Sequence, residues 1–98
     1  MGNRAVIIEK GKPEGIYLHW NGGRDSVEPI LYYAKNFLNI ESTLLTSNLR
    51  KFEFIALCIG LNPEYSEFYE HLDCDNYDNG VYVINKDYEI IERRKQKH

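Results

Sequence analysis

The sequence predicts an α+β fold: an antiparallel sheet of about four strands in ββααββ order, with two amphipathic helices packed on one face. Three observations predict it. Short β-branched runs stand at both ends of the chain, two segments in the middle repeat apolar residues at helical spacing, and turn residues separate them. A hairpin at each end can merge into one sheet, and each helix then buries its single apolar stripe against that sheet. The 98 residues amount to one domain, read as residues 1–92 with a basic, frayed tail at 93–98.

The elements follow in order. Residues 4–9, Arg-Ala-Val-Ile-Ile-Glu, are β-branched and read as a buried first strand. Lys10 to Gly15 holds two glycines and Pro13 and reads as a turn. Residues 16–20 read as a second strand, with Ile16, Leu18 and Trp20 on one face and Tyr17 and His19 on the other. A helix starts after Asn21-Gly22-Gly23, with Asp25 or Ser26 as its cap. If Ser26 caps it, Pro29 falls at the third helical position, where no intrahelical donor is needed. Val27, Ile30, Leu31, Ala34, Phe37 and Leu38 make its stripe, and it ends near Asn39.

Ser47 is placed to cap a second helix over 48–59, whose stripe is Leu49, Phe52, Ile55, Ala56 and Ile59. Gly60 and Asn62-Pro63 stop it. Residues 64–72 fit either a short helix or an edge strand. Asp73 to Gly80 is a polar turn. Gly80-Val-Tyr-Val-Ile and Tyr88-Glu-Ile-Ile-Glu flank Asn85-Lys86-Asp87 as a closing hairpin, and the sheet face away from the helices is expected to carry tyrosines and His19.

Composition narrows the function. A net charge of −3 argues against general nucleic-acid binding, which works by neutralising phosphates. Cys58 and Cys74 have no metal-type spacing and read as reduced thiols, Cys58 as an inert core residue of the second helix. No run approaches the roughly 20 apolar residues that span a bilayer, and the N-terminus lacks a signal-peptide core, so a cytoplasmic location is expected by elimination. No cofactor is expected.

Two segments stand out. His19, Trp20, Asn21, Gly22, Gly23, Arg24 and Asp25 lie where a strand gives way to a helix. Helix N-termini attract anions, Arg24 adds a cation, and the aromatics can stack on a base, so a nucleotide fits here. The spacing matches neither the P-loop nor the dinucleotide fingerprint. The alternative is a tight turn with Trp20 in the core. His19 with Asp25 makes an incomplete acid–base pair, since Ser26 is a better cap than nucleophile; the chain is read as a binder and not as an enzyme.

The second segment runs from Glu64 to Asp78. Six acids, among them Glu64, Glu67, Glu70 and Asp73, occur without a Lys or Arg, interleaved with Tyr65, Phe68, Tyr69 and Tyr77. Such a surface can dock in a basic groove and imitate a phosphate backbone; the alternative is a solvated face. Calcium fails, because counting an EF-hand loop from Asp75 puts Tyr77 at position three and Lys86 at position twelve. His71, Asp73 and Cys74 fall short of a metal set.

The opening Met-Gly-Asn-Arg-Ala-Val-Ile, the segment Gly15 to Glu28 (Gly-Ile-Tyr-Leu-His-Trp-Asn-Gly-Gly-Arg-Asp-Ser-Val-Glu) and the segment Leu72 to Ile84 resemble a family of small proteins of bacteriophages and prophages of Firmicutes. About half of the chain is covered, and residues 36–71 depart from the pattern. The resemblance implies a phage context, in which small accessory proteins counter host defence. It implies as partner a host defence protein, such as a CRISPR effector nuclease bound in the manner of an anti-CRISPR protein. The runner-up partner is a sequestered nucleotide signal. Neither direct nucleic-acid binding nor membrane association is expected, and self-association is compatible with this reading. A small enzyme or a structural phage component is the alternative from another class.

Overall fold

A computed structural model describes residues 3–36, 47–74, 76 and 78–94. Its strands are β1 (Ala5–Glu9), β2 (Gly15–Leu18), β3 (Glu64–Ser66), β4 (Val81–Ile84) and β5 (Ile90–Arg94); its helices are α1 (Arg24–Asn36) and α2 (Asn48–Cys58). The strands form one sheet in the order β3-β2-β1-β4-β5. The α+β class is as predicted, but among the described residues the sheet is five-stranded and mixed. β1 pairs antiparallel with β2 and parallel with β4.

The helices cover one face. Ala5, Ile7, Ile16, Leu18, Tyr82 and Ile84 point into a core that takes Val27, Ile30 and Leu31 from α1 and Leu49, Phe52 and Ala56 from α2. Full burial of a side chain such as Phe52 is worth roughly 1.5–3 kcal/mol. The predicted stripe of α2 loses Ile59, which is 58% exposed beyond the last helical turn. Cys58, expected in the core, is also exposed, because it lies on the helix side opposite Phe52 and Ala56. Ser47 caps α2 as predicted, its Oγ accepting from the Arg50 amide at 3.1 Å. Gly60 follows with φ +81°, where a side chain would strain the backbone.

The other sheet face is also covered, which corrects the expectation of an open tyrosine face. From β3 the chain crosses that face through a 3-10 turn at Tyr69–His71 before it enters β4. Leu72 packs there with Val6, Ile8, Val81 and Val83, and Tyr17, Tyr69 and Cys74 close the cluster. Both faces of β1 and β4 are therefore buried, which fits their almost unbroken apolar sequences. This crossing also lets β4 enter parallel to β1, since parallel strands need a long connection between them.

Two boundaries move. α1 begins at Arg24, with the Gly23 carbonyl accepting from Ser26 and Val27, so Pro29 sits inside the helix and not at its third position. The missing N–H falls on the exposed side, where water can serve the carbonyl left over. The predicted end near Asn39, with Phe37 and Leu38, lies outside the described residues. In the closing hairpin Asn85 Oδ1 accepts from the amides of Asp87 and Glu89, and Tyr88 adopts φ +65°. That longer turn delays β5 to Ile90. It carries Arg93 and Arg94, assigned to the tail on sequence, into the strand opposite Tyr82 and Val81. The Arg93 guanidinium lies over the Tyr82 ring at 4.2 Å.

Candidate functional site

The turn between β2 and α1 is shaped by close packing. The Gly22 amide donates to the Asn3 carbonyl at 2.6 Å, and the Gly22 carbonyl accepts from the Tyr82 hydroxyl at 2.8 Å. A Cβ on Gly22 would stand 2.5 Å from the Asn3 oxygen and 2.7 Å from the Ala5 Cβ. Both backbone groups of Gly22 are thus used within the fold. Arg24 is ion-paired with Glu28, one turn along the helix, and both are half exposed. Asp25 stands in the first turn. An anion approaching this terminus meets two carboxylates, and its cation is already engaged.

Strand alternation stops at Leu18, so it does not carry Trp20 inward. Trp20 is 54% exposed, against the expectation that it shares a buried face with Ile16 and Leu18. The His19 ring packs edge-on against it with centroids 4.6 Å apart, and His19 Nδ1 is 2.9 Å from the Tyr17 hydroxyl. That bond joins His19 to Tyr17 and not to Asp25. A cleft of about 400 Å³ between α1 and the β4–β5 turn is lined by Arg24, Glu28, Lys35, Tyr88 and others, without His19.

The acidic segment separates into structural and free groups. Asp78 is structural. It accepts from the Arg4 amide at 3.0 Å and from Arg4 Nε at 2.8 Å, and the Arg4 guanidinium holds its carboxyl below the ordinary carboxylate range. Asp73 lies 3.8 Å from Arg4 Nη1. Glu64, Glu67 and Glu70 are exposed, and among the described residues no ion pair engages them. Asp75 and Tyr77 lie outside the described residues.

Tyr65 and Tyr69 turn partly inward. The Tyr65 hydroxyl donates to Glu14, and the Arg50 guanidinium sits over its ring at 3.3 Å. Burial, then the Glu14 bond, push the Tyr65 phenol upward. Tyr69 packs over Gly15, where a Cβ would come within 2.6 Å of the Tyr69 Cβ. The displayed aromatic is Phe68, 50% exposed between Glu67 and Glu70. Ser66 Oγ accepts from the Phe68 amide and donates to its carbonyl, turning the chain out of β3 with Phe68 at the corner. The sequence signal for this corner is the Ser two residues ahead of an aromatic.

The edge and corner of the sheet at β3 therefore present Glu64, Glu67 and Phe68, and Glu70 follows, exposed, in the turn that crosses the far face. Glu64 pairs with Tyr17 across the strands, and Tyr17 is bonded to His19. Burial and the nearby Asp73 carboxylate raise the Tyr17 phenol, with Arg4 opposing them. The two segments singled out in the sequence thus adjoin at one corner of the sheet. Among the described residues no three His, Cys, Asp or Glu side chains gather as a metal-binding group, and no helix is long and apolar enough to cross a membrane. Compared with protein-family models, with curated proteins and with solved structures, the chain finds no match.

Proposed function

We propose that the protein acts by stoichiometric docking: its acidic β3 edge enters the basic groove of a nucleic-acid-handling protein and occupies it in place of nucleic acid. With the phage resemblance, the partner is an effector nuclease of a bacterial defence system, and the chain is its inhibitor. The observation that carries this reading is the set of exposed carboxylates at Glu64, Glu67 and Glu70, engaged by no ion pair among the described residues, around the exposed Phe68 ring. Unpaired acids at high density steer a basic partner, and an aromatic among them supplies apolar contact area. Charges on an edge strand also discourage strand-to-strand aggregation, and three residues of β3 make a short edge. That role needs no exposed phenylalanine.

Capture of a nucleotide is the weaker reading, because Arg24 is paired and carboxylates flank the helix terminus. The test is a phage-immunity assay. A bacterium protected by a CRISPR nuclease expresses the chain, and plaques are counted. Wild type restores infection, and the variant Glu64→Lys, Glu67→Lys, Glu70→Lys does not. Equal plaque counts for a folded variant and wild type contradict the reading.

A further inference from the structure

The two edges of the sheet differ. β3 is three residues long and opens on Glu64. β5 runs over five residues and pairs on one side only, with β4. The backbone on its other side is open. The Val6 amide donates to the Gly80 carbonyl and the Lys10 amide to the Ile84 carbonyl, so the even-numbered residues of β4 bond toward β1. Val81 and Val83 are left to bond β5 through Arg94 and Glu92, which turns the amide and carbonyl of Arg93 outward. Among the described residues no loop or turn closes over these two groups. An edge of this kind accepts another strand.

Charge selects that strand. The chain enters β5 through Lys86, Asp87 and Glu89 and leaves it through Glu92, Arg93 and Arg94, so the entry is net negative and the exit net positive. A second β5 running antiparallel sets an acidic entry against a basic exit twice, about a two-fold axis, whereas a parallel copy sets like ends together. Ile91 stands between the two ends and is 47% exposed. It lies at the register shift, where β5 carries one residue more than β4. On the axis it meets the same apolar side chain of the second copy. The β3 edge has no such complementarity, because Glu64 and Glu67 would face acids again.

We infer that β5 pairs antiparallel with β5 of a second copy of this chain, with Ile91 near the two-fold axis, so that the two sheets become one. The β3 strands then stand at the opposite ends of the joined sheet, roughly 40 Å apart at the usual strand spacing. Both acidic edges stay open. The pairing does not depend on the docking reading, since it uses the other edge.

The test is sedimentation of the intact chain from micromolar to millimolar concentration, together with hydrogen exchange at the Arg93 amide followed by NMR. Wild type is expected to pass from monomer to dimer as concentration rises, and the Arg93 amide to exchange more slowly in the dimer. Ile91→Lys is expected to keep the melting temperature, to weaken dimerisation about tenfold or more, and to leave Arg93 exchanging fast. Ile59→Lys, at the helix layer, is expected to dimerise like wild type. A chain that stays monomeric at millimolar concentration overturns the inference. So does a dimer that Ile59→Lys disrupts and Ile91→Lys leaves intact, or a wild-type dimer whose Arg93 amide exchanges as fast as in the monomer.

Discussion

The Tyr82 hydroxyl donates to the Gly22 carbonyl at 2.8 Å, across 60 residues of sequence, and ties β4 to the turn that launches α1. Both groups are buried, so removing the donor leaves an acceptor without water. Tyr82→Phe is expected to cost about 1–2 kcal/mol. Each kcal/mol lowers the midpoint by roughly 4–8 °C for a domain of this size. Gly22→Ala is expected to cost more, because its new Cβ would press on the Asn3 backbone oxygen at 2.5 Å. Thermal and urea unfolding of both variants check this, and a Tyr82→Phe protein as stable as wild type would contradict it.

Acid unfolding reports the Arg4–Asp78 clamp. The Arg4 hydrogen bonds depress the Asp78 carboxyl below its ordinary 3.8. A depressed carboxyl contributes stability above that pH and loses it as pH falls through the lower folded value. Asp78→Asn is therefore expected to flatten the dependence of melting temperature on pH below about 4, together with a loss at neutral pH. An unchanged acid limb in the variant would argue that other carboxyls set it.

Alkaline unfolding reports Tyr88. Burial, with Glu9 nearby, pushes its phenol up to about 12, and its buried hydroxyl has no hydrogen-bond partner among the described residues. The raised group favours the protonated fold, so its contribution is complete below pH 10 and disappears as pH rises through 12. Tyr88→Phe is expected to keep or raise stability at pH 7, since an unpaired buried hydroxyl contributes nothing, and to reduce the loss of stability above pH 10. Melting curves from pH 8 to 12 decide it.

Thiol chemistry separates the cysteines. Cys58 is exposed, while Cys74 is partly buried with its Sγ 3.4 Å from the Tyr69 carbonyl. A thiol reagent under native conditions is expected to modify Cys58 first, in a distinct fast phase that Cys58→Ser removes without loss of stability. A single slow phase common to both thiols would contradict the exposed placement.

The parts of the fold readable in the sequence carry their signals locally. α2 lies between a Ser47 cap and Gly60 because those residues meet the terminal amides and the left-handed turn themselves. β3 is three residues long and exists through its pairing with β2, so no periodicity reveals it. The parallel pairing of β1 and β4 depends on the chain crossing the far face on Leu72, a contact between distant residues. The site divides the same way. The charges of Glu64, Glu67 and Glu70 are legible as an unbroken acidic run. Which aromatic faces outward is not, because Gly15 makes room for Tyr69 and Arg50 stacks on Tyr65, leaving Phe68 displayed.

Stoichiometric occupation by the acidic edge is tested most directly by titrating the protein into a fixed amount of a purified CRISPR nuclease complex and measuring target cleavage. The account predicts a sharp breakpoint at a fixed molar ratio, weakening as salt screens the charges, and no inhibition by the folded Glu64→Lys, Glu67→Lys, Glu70→Lys variant. Inhibition far below equimolar protein, or undiminished inhibition by that variant, would contradict it.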